Sequence, residues 1–430
     1  MDWKVKKAVT GLKGELTVPP DKSISHRAIM FGSISNGKCE VRNFLFSEDC
    51  MSTLKAFHAL GTEITREGET VTVKGKGLKG LQPPSGELYL GNSGTTMRII
   101  SGILAGQSFE TLLTGDESLS KRPMRRIIDP LSLMGAEIEP TEGGDHAPLK
   151  IKGKTVPLKA IDYSLPMASA QVKSCVLAAG LYADGKTQVI EPYQSRDHTE
   201  RMMKYFSADI RRDGLLTEVQ GLKELISKDL VVPGDISSAA FFMVGALIVH
   251  GSHLVIREVG MNPTRTGIIE VLKRMGADIR VLDLREGLEP VGDFEVRHSD
   301  LKGTVVEEDE VPLLIDEIPI LAVAACMAEG ETVIKGIKEL KVKETDRVKS
   351  VTENLSQMGI RAEEENNSLI IPGKSAGLAA AELDSFGDHR IAMSSAIAAL
   401  VSDGECVILN TACTDTSYPN FLGDLHKVTG

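Results

Sequence analysis

Between Asp21 and Arg27 the chain reads DKSISHR, which sets a lysine, a histidine, an arginine and two serines directly ahead of an apolar run. Such a pattern predicts a helix opening, where unpaired backbone N–H groups and the positive end of the dipole face outward. Fixed cations there are unfavourable by roughly 0.3–1 kcal/mol each when exposed, so a bound anion is the natural partner for Lys22 and Arg27. The same juxtaposition recurs. Arg98 ends GNSGTTMR, Arg122 and Arg125 stand in SKRPMRR, Arg196 in SRDHTE, Lys343 and Arg347 in KVKETDR, and Arg390 in DHRIAM. Taken singly, each fits a solvated charge or an ion pair with one of the 60 acidic residues. Their joint recurrence at polar turns points to an anionic ligand, and the planar fork of arginine selects phosphate or carboxylate groups.

Carboxylates stand among these cations. A helix through 343–347 would place Lys343 and Arg347 on one face, with Glu344 about 100° round from Lys343. A surface network of charges and a proton-shuttling Glu344 both fit this segment. Asp316, in LLIDEIPILA, opens a buried helix. It fits both an N-cap and a base that accepts a proton from a substrate hydroxyl. His26, His198 and His389 lie in polar turns without metal-ligand spacing, so neither a catalytic metal nor a cofactor is expected. GNSGTTMR matches neither the dinucleotide nor the P-loop fingerprint. The six cysteines are scattered, without a C-x-x-C pair, which favours a reducing, cytoplasmic setting.

What positions these residues is a pattern written six times. A polar turn opens an apolar helix in DKSISHRAIM, GNSGTTMRII, MASAQVKSCVLAAG, GDISSAAFFMVGAL, IDEIPILAVAACMA and GDHRIAMSSAIAAL; a glycine-marked turn and a β-branched strand follow each. Second helices end in ALGTEI, LMGAEI, YFSADI, RMGADI and QMGIRA, with Ser207 in the third copy where the others carry a C-cap glycine. The sixth copy of this ending is missing, and the strand material at the N-terminus, KVKKAVTGLKGELTVPP, is expected to complete the sixth unit. The expected architecture is α/β, with one domain over 20–232 and a discontinuous one over 1–19 plus 233–430. Pro19-Pro20 and Val232-Pro233-Gly234 would form the hinges of a cleft at which the helix openings converge. A net charge of −11 and 4% aromatic residues argue against a nucleic-acid partner. The longest apolar stretch, AAFFMVGALIV, is too short to span a bilayer.

DKSISHRA, LGNSGTTMR, KRPM, SAQVKS, SRDHTE, IDEIPILA, VKETDR, DHRIAM and TSYP, in that order, resemble the 5-enolpyruvylshikimate-3-phosphate synthase family of enolpyruvyl transferases over nearly the whole chain. The resemblance implies a two-domain inside-out α/β barrel of six βαβαββ repeats, three per domain. It implies transfer of the carboxyvinyl group of phosphoenolpyruvate to the 5-hydroxyl of shikimate 3-phosphate, by a monomer without metal or cofactor. Lys22, Ser23, Arg27, Ser169, Gln171, Arg196, Asp316 and Lys343 would contact shikimate 3-phosphate, with Ala170 contributing only its backbone. Lys22, Asn92, Gly94, Arg122, Gln171, Glu344, Arg347, His389 and Arg390 would form the phosphoenolpyruvate site. Lys22, Asp316 and Glu344 would carry the proton transfers. Thr416 stands where many members have lysine. The sister UDP-N-acetylglucosamine enolpyruvyl transferases are the rival reading, but GDESLSKRP lacks their reactive cysteine. A non-catalytic binder of phosphorylated metabolites would be expected to have lost Lys22, Asp316 or Glu344, and all three are present.

Overall fold

The repeats fold into helix-backed sheets with one recurring strand order, of which the sixth keeps three strands. The computed structural model describes residues 1–141, 143–373 and 377–430. In the second repeat, Leu88–Tyr89 runs parallel to Thr111–Thr114, which pairs antiparallel with Leu149–Lys152, which in turn pairs antiparallel with Glu137–Pro140. The third repeat uses Asp162–Ser164, Lys186–Ile190, Leu216–Gln220 and Ile210–Asp213 in the same order. The fifth does so with Val305–Val306, Thr332–Lys335, Ser368–Ile371 and Glu363–Glu365.

Contacts between Cα atoms divide the chain into two units, Pro20–Val232 and Met1–Pro19 with Pro233–Gly430. In the first unit, the parallel partner of Ser35–Arg42 comes from the unit's end, Leu225–Ile226 and Leu230–Val231. In the second unit, Lys13–Thr17 fills that place beside His253–Gly260. The N-terminal strands therefore do not both complete the sixth repeat. Only Trp3–Val5 does, pairing with Cys406–Leu409, which also pairs parallel with Glu382–Asp384. The reason is a vacancy left by chain order: the segment before the fourth repeat has already joined the first sheet, so Lys13–Thr17 supplies the strand that the fourth lacks. The chain ends meet where the sixth repeat closes. Thr411 donates its N–H to the Met1 carbonyl at 2.8 Å, and Trp3 stacks on Phe421 of the C-terminal helix with ring centroids 5.6 Å apart.

The opening helices form the interior of each unit. Every residue of Ile236–Ile248, Ile318–Cys326 and His389–Ala399 is buried, as expected of the first two, which are almost wholly apolar; the third buries His389, Arg390, Ser394 and Ser395 as well. The sheets cover them, alternating buried and more exposed positions along strands such as Leu149–Lys152. This is the inside-out arrangement, helices within and sheets without. In the first unit, Gly94–Leu104 and Ala170–Gly180 approach so closely that a side chain at Gly102 would lie 2.2 Å from the Cys175 carbonyl oxygen. Second helices end in the left-handed region at Gly61, Gly135, Gly276 and Gly359, and Ser207 adopts it too, with φ of 67°.

Candidate active site

In the unit Pro20–Val232 three opening helices start at candidate residues. Asp21 caps Lys22–Ser33 by accepting from the Ile24 N–H at 2.8 Å, Ser93 caps Gly94–Leu104, and Ser169 caps Ala170–Gly180. Lys22 reaches Asp49 of the following helix, Nζ to Oδ2 3.1 Å. Arg27 is buried, and its Nε donates to Thr199 Oγ1 at 2.7 Å. Its two terminal nitrogens donate to the Ser23 carbonyl at 2.9 Å and to Ser174 Oγ at 3.1 Å. Arg122 donates to the Asn92 carbonyl at 3.2 Å, to Asn92 Oδ1 and to Ser118 Oγ at 3.2 Å. Gln171 accepts from Arg98 through Oε1 and donates to Thr95 Oγ1 at 3.0 Å. A β-carbon added at Gly94 would lie 3.1 Å from a terminal nitrogen of both Arg122 and Arg98. The Ala170 carbonyl is taken up by Ser174 Oγ at 2.6 Å, and Arg196 is half-buried in the loop before the helix His198–Tyr205.

His26 serves this group as a neutral link. Burial, then the charges of Lys22 and Arg27, hold its imidazole well below the usual histidine range. Its Nδ1 lies 2.6 Å from Thr53 Oγ1, which lies 2.6 Å from Thr96 Oγ1, which lies 2.7 Å from the capping Ser93 Oγ. A chain of hydroxyls thus links the helices Lys22–Ser33, Glu48–Ala59 and Gly94–Leu104.

In the other unit the candidates gather around Arg347, which is 2% exposed. Its Nε donates to Asp388 Oδ2 at 2.8 Å, and its two terminal nitrogens donate to Asp316 Oδ1 at 2.9 Å and Glu344 Oε2 at 2.7 Å. Burial opposes the charge, but Asp388, Glu344 and Asp316 outweigh it and raise the guanidinium's proton affinity further. Arg390 donates to the Asp316 carbonyl at 3.0 Å and approaches the Asp316 and Glu317 carboxylates at 3.7 Å each. Lys343 is half-buried as a residue, but enclosure of its ammonium holds it below the usual lysine range; Asp316 pulls the other way and Arg347 adds to the lowering. His389 is buried beside Asp388, Nδ1 to Oδ1 3.9 Å.

Several expectations change. Asp316 is not an N-cap: the helix Ile318–Cys326 starts after Glu317, without a side-chain cap, and Asp316 is held by the two arginines. Lys343 and Glu344 are not helical, because Asp346 caps a helix that begins at Arg347, accepting from the Lys349 N–H at 3.1 Å. Arg125 takes the bland role, an exposed i,i+4 partner of Asp129 at 3.8 Å. Sequence reasoning missed the acidic partners Asp49 and Asp388, and with them the buried Lys173, which contacts Glu191 and Glu200 at 2.7 Å each. The signal for Lys173 was available: a lysine inside the otherwise small and apolar run VKSCVLAAG. Among the described residues, no group of three or more His, Cys, Asp or Glu is arranged to hold a metal ion.

Both clusters thus gather cations at or near helix starts that favour anions, and the one around Arg347 adds the carboxylates of Asp316, Glu344 and Asp388. The family model of EPSP synthase (3-phosphoshikimate 1-carboxyvinyltransferase) matches residues 6–425. The chain is 52% identical over 419 residues to a 3-phosphoshikimate 1-carboxyvinyltransferase of Geobacter metallireducens, 97% of each chain being covered. It is 50% identical over 419 residues to one of Bacillus cereus, again with 97% of each covered. A solved EPSP synthase from Acinetobacter baumannii superposes with a TM-score of 0.88 at 46% identity, over 99% of this chain and 98% of that one. The chain belongs to the EPSP synthase family.

Proposed function

We propose that Lys22, Asp316 and Glu344 carry the proton transfers of the family's reaction, in which phosphoenolpyruvate gives its carboxyvinyl group to the 5-hydroxyl of shikimate 3-phosphate and phosphate leaves. Asp316 accepts the hydroxyl proton as the oxygen attacks C2 of phosphoenolpyruvate, and Glu344 protonates C3. The resulting tetrahedral intermediate carries both the new C–O bond and the phosphate. Removal of the proton from C3 then expels phosphate and restores the vinyl group. Lys22, Arg122, Arg347 and Arg390 stabilise the carboxylate and phosphate charges, with Gln171, Asn92, His389 and the bare backbone at Gly94 completing the phosphoenolpyruvate contacts. Ser23, Arg27, Ser169, Ala170, Gln171, Arg196 and Lys343 hold shikimate 3-phosphate.

The observation that carries this reading is the sharing of one buried arginine by both reacting carboxylates. Arg347 donates to Asp316 and to Glu344 at once. An anionic substrate that takes up Arg347 donors releases a carboxylate from its cation, the condition under which that carboxyl can hold and deliver a proton. Catalytic acid and substrate anion therefore compete for one guanidinium, which couples binding to the readiness of the acid. We read the protein as a cytoplasmic monomer; no helix among the described residues is long and apolar enough to cross a membrane. Phosphate release measured with phosphoenolpyruvate and shikimate 3-phosphate tests the reaction. Release that requires UDP-N-acetylglucosamine instead would reject it.

A further inference from the structure

Lys173 has no part in the reaction as described, yet it is wholly buried between two glutamates, Nζ to Glu191 Oε2 2.7 Å and to Glu200 Oε1 2.7 Å. A buried ion cluster is weak evidence for stability, since apolar side chains of similar volume commonly serve as well or better. Its connections point elsewhere. The other oxygen of Glu191 accepts from the Ser195 N–H at 3.2 Å and from Ser195 Oγ. Ser195 is the residue immediately before Arg196. Glu200 lies in the first turn of His198–Tyr205, immediately after Thr199, whose hydroxyl holds Arg27 Nε at 2.7 Å. Ser174, next to Lys173, lies 2.7 Å from that same Thr199 hydroxyl and accepts from Arg27 at 3.1 Å. One lysine inside the helix Ala170–Gly180 thus ties down both ends of the segment 195–200, which carries Arg196 and orients Arg27.

We infer that Lys173, through Glu191 and Glu200, is a positioning residue for shikimate 3-phosphate: it fixes the two arginines that grip this substrate, through glutamates that are not among the phosphoenolpyruvate residues. The Glu200 contact is an ion pair without hydrogen-bond alignment, so the firmer arm is the one through Glu191 to Ser195. The inference rests on the assignment of Arg27 and Arg196 to shikimate 3-phosphate. It predicts a selective loss rather than general damage.

The test compares Lys173→Met and Glu191→Gln with the wild type in steady-state kinetics for both substrates, with melting temperature recorded. The expected result is a KM for shikimate 3-phosphate raised on the order of tenfold, as for loss of about one charge-assisted contact, with the KM for phosphoenolpyruvate within about twofold. Lys173→Arg, which keeps a donor for both glutamates, should recover part of the affinity. A lower melting temperature with an unchanged KM for shikimate 3-phosphate would show a purely structural role and overturn the inference. If Lys173→Met does not fold, Glu191→Gln, which keeps the volume and buries no new charge, decides by the same criterion. Arg27→Ala separates the two levels. If it raises the KM for shikimate 3-phosphate while the network variants do not, the positioning role alone fails; if it too has no effect, the underlying assignment fails with it.

Discussion

Gly94→Ala isolates one methyl group at the start of a helix. The added carbon would lie 3.1 Å from a terminal nitrogen of Arg122 and another of Arg98, a few tenths of an ångström inside ordinary contact. Neither guanidinium can swing away cheaply: Arg122 is held by the Asn92 carbonyl, Asn92 Oδ1 and Ser118, and Arg98 by Gln171 and the Pro123 carbonyl. The backbone itself gains, because alanine at a helical position is favoured over glycine by roughly 0.5–1 kcal/mol. A displaced Arg122 loses part of a charge-assisted contact worth roughly 1.5–3 kcal/mol, so about 1 kcal/mol of phosphoenolpyruvate binding should go, or about fivefold in KM. The two effects have opposite signs and separate observables. We expect melting temperature unchanged or slightly raised, KM for phosphoenolpyruvate up about fivefold, and KM for shikimate 3-phosphate little changed. Differential scanning fluorimetry and steady-state kinetics on one preparation read all three. An unchanged KM for phosphoenolpyruvate in a stable variant would show that Arg122 at its present position does not hold that substrate.

Three further outcomes follow from the same geometry. Glu344→Gln should lower kcat by on the order of 10²-fold or more with little effect on shikimate 3-phosphate affinity, whereas Arg27→Ala should weaken that affinity by on the order of 10-fold or more and lower kcat less; equilibrium binding and saturating-substrate rates distinguish them, and an unchanged kcat removes Glu344 from the proton path. Ser207→Gly should stabilise the fold by about 1 kcal/mol in urea denaturation, since a left-handed conformation disfavours any residue with a β-carbon; no gain would mean that the serine side chain offsets its own strain. His26 is held neutral in the fold, so the unfolded chain binds a proton below the ordinary value of 6.5 that the native chain does not. Native stability should therefore fall with pH below that value, by about 1.4 kcal/mol per unit from this one group, and the advantage over His26→Gln should shrink at that slope; parallel pH dependences for the two proteins would contradict it.

The opening helices are legible because each joins a polar turn to a run of mostly apolar residues, with a side-chain cap in five of the six, and the structure starts them at Lys22, Gly94, Ala170, Ile236, Ile318 and His389. Ser207 was legible as an oddity by alignment with its four glycine counterparts, and its φ explains why glycine stands in the others. The pairing of charges was not legible. Asp49 lies 27 residues from Lys22 and Asp388 lies 41 from Arg347, so no local pattern links them. The segment before Arg347 misled for a local reason: charge spacing suits a helix through 343–347, but Asp346 accepts the Lys349 N–H and sets the start four residues later than Lys343. The N-terminal strands misled for a global one, because which sheet lacks a strand depends on the order of all six repeats.

Cations at helix starts posed the opening question, and the two units answer it differently. Around Arg347 the offset is internal: Asp316, Glu344 and Asp388 each accept from it, and Asp388 also caps the helix whose second residue is Arg390. Carboxylates so placed cancel cationic charge and supply proton acceptors at the same atoms, which suits a unit that handles protons. In the unit Pro20–Val232, Arg27, Arg98 and Arg122 donate to hydroxyl, amide and carbonyl oxygens of Ser23, Thr199, Ser174, Gln171, Pro123, Asn92 and Ser118. Acceptors of that kind orient a guanidinium without cancelling its charge, which suits a unit that grips phosphate and carboxylate. Carboxylates are there too: Asp49 pairs directly with Lys22, while Glu191 and Glu200 pair with Lys173 and connect to the substrate-gripping arginines through their neighbours Ser195 and Thr199. Linking Glu191 and Glu200 to the gripping arginines through Ser195 and Thr199 fixes the geometry of those arginines, and this is why the Lys173 network should govern affinity for one substrate rather than the rate of the chemical step.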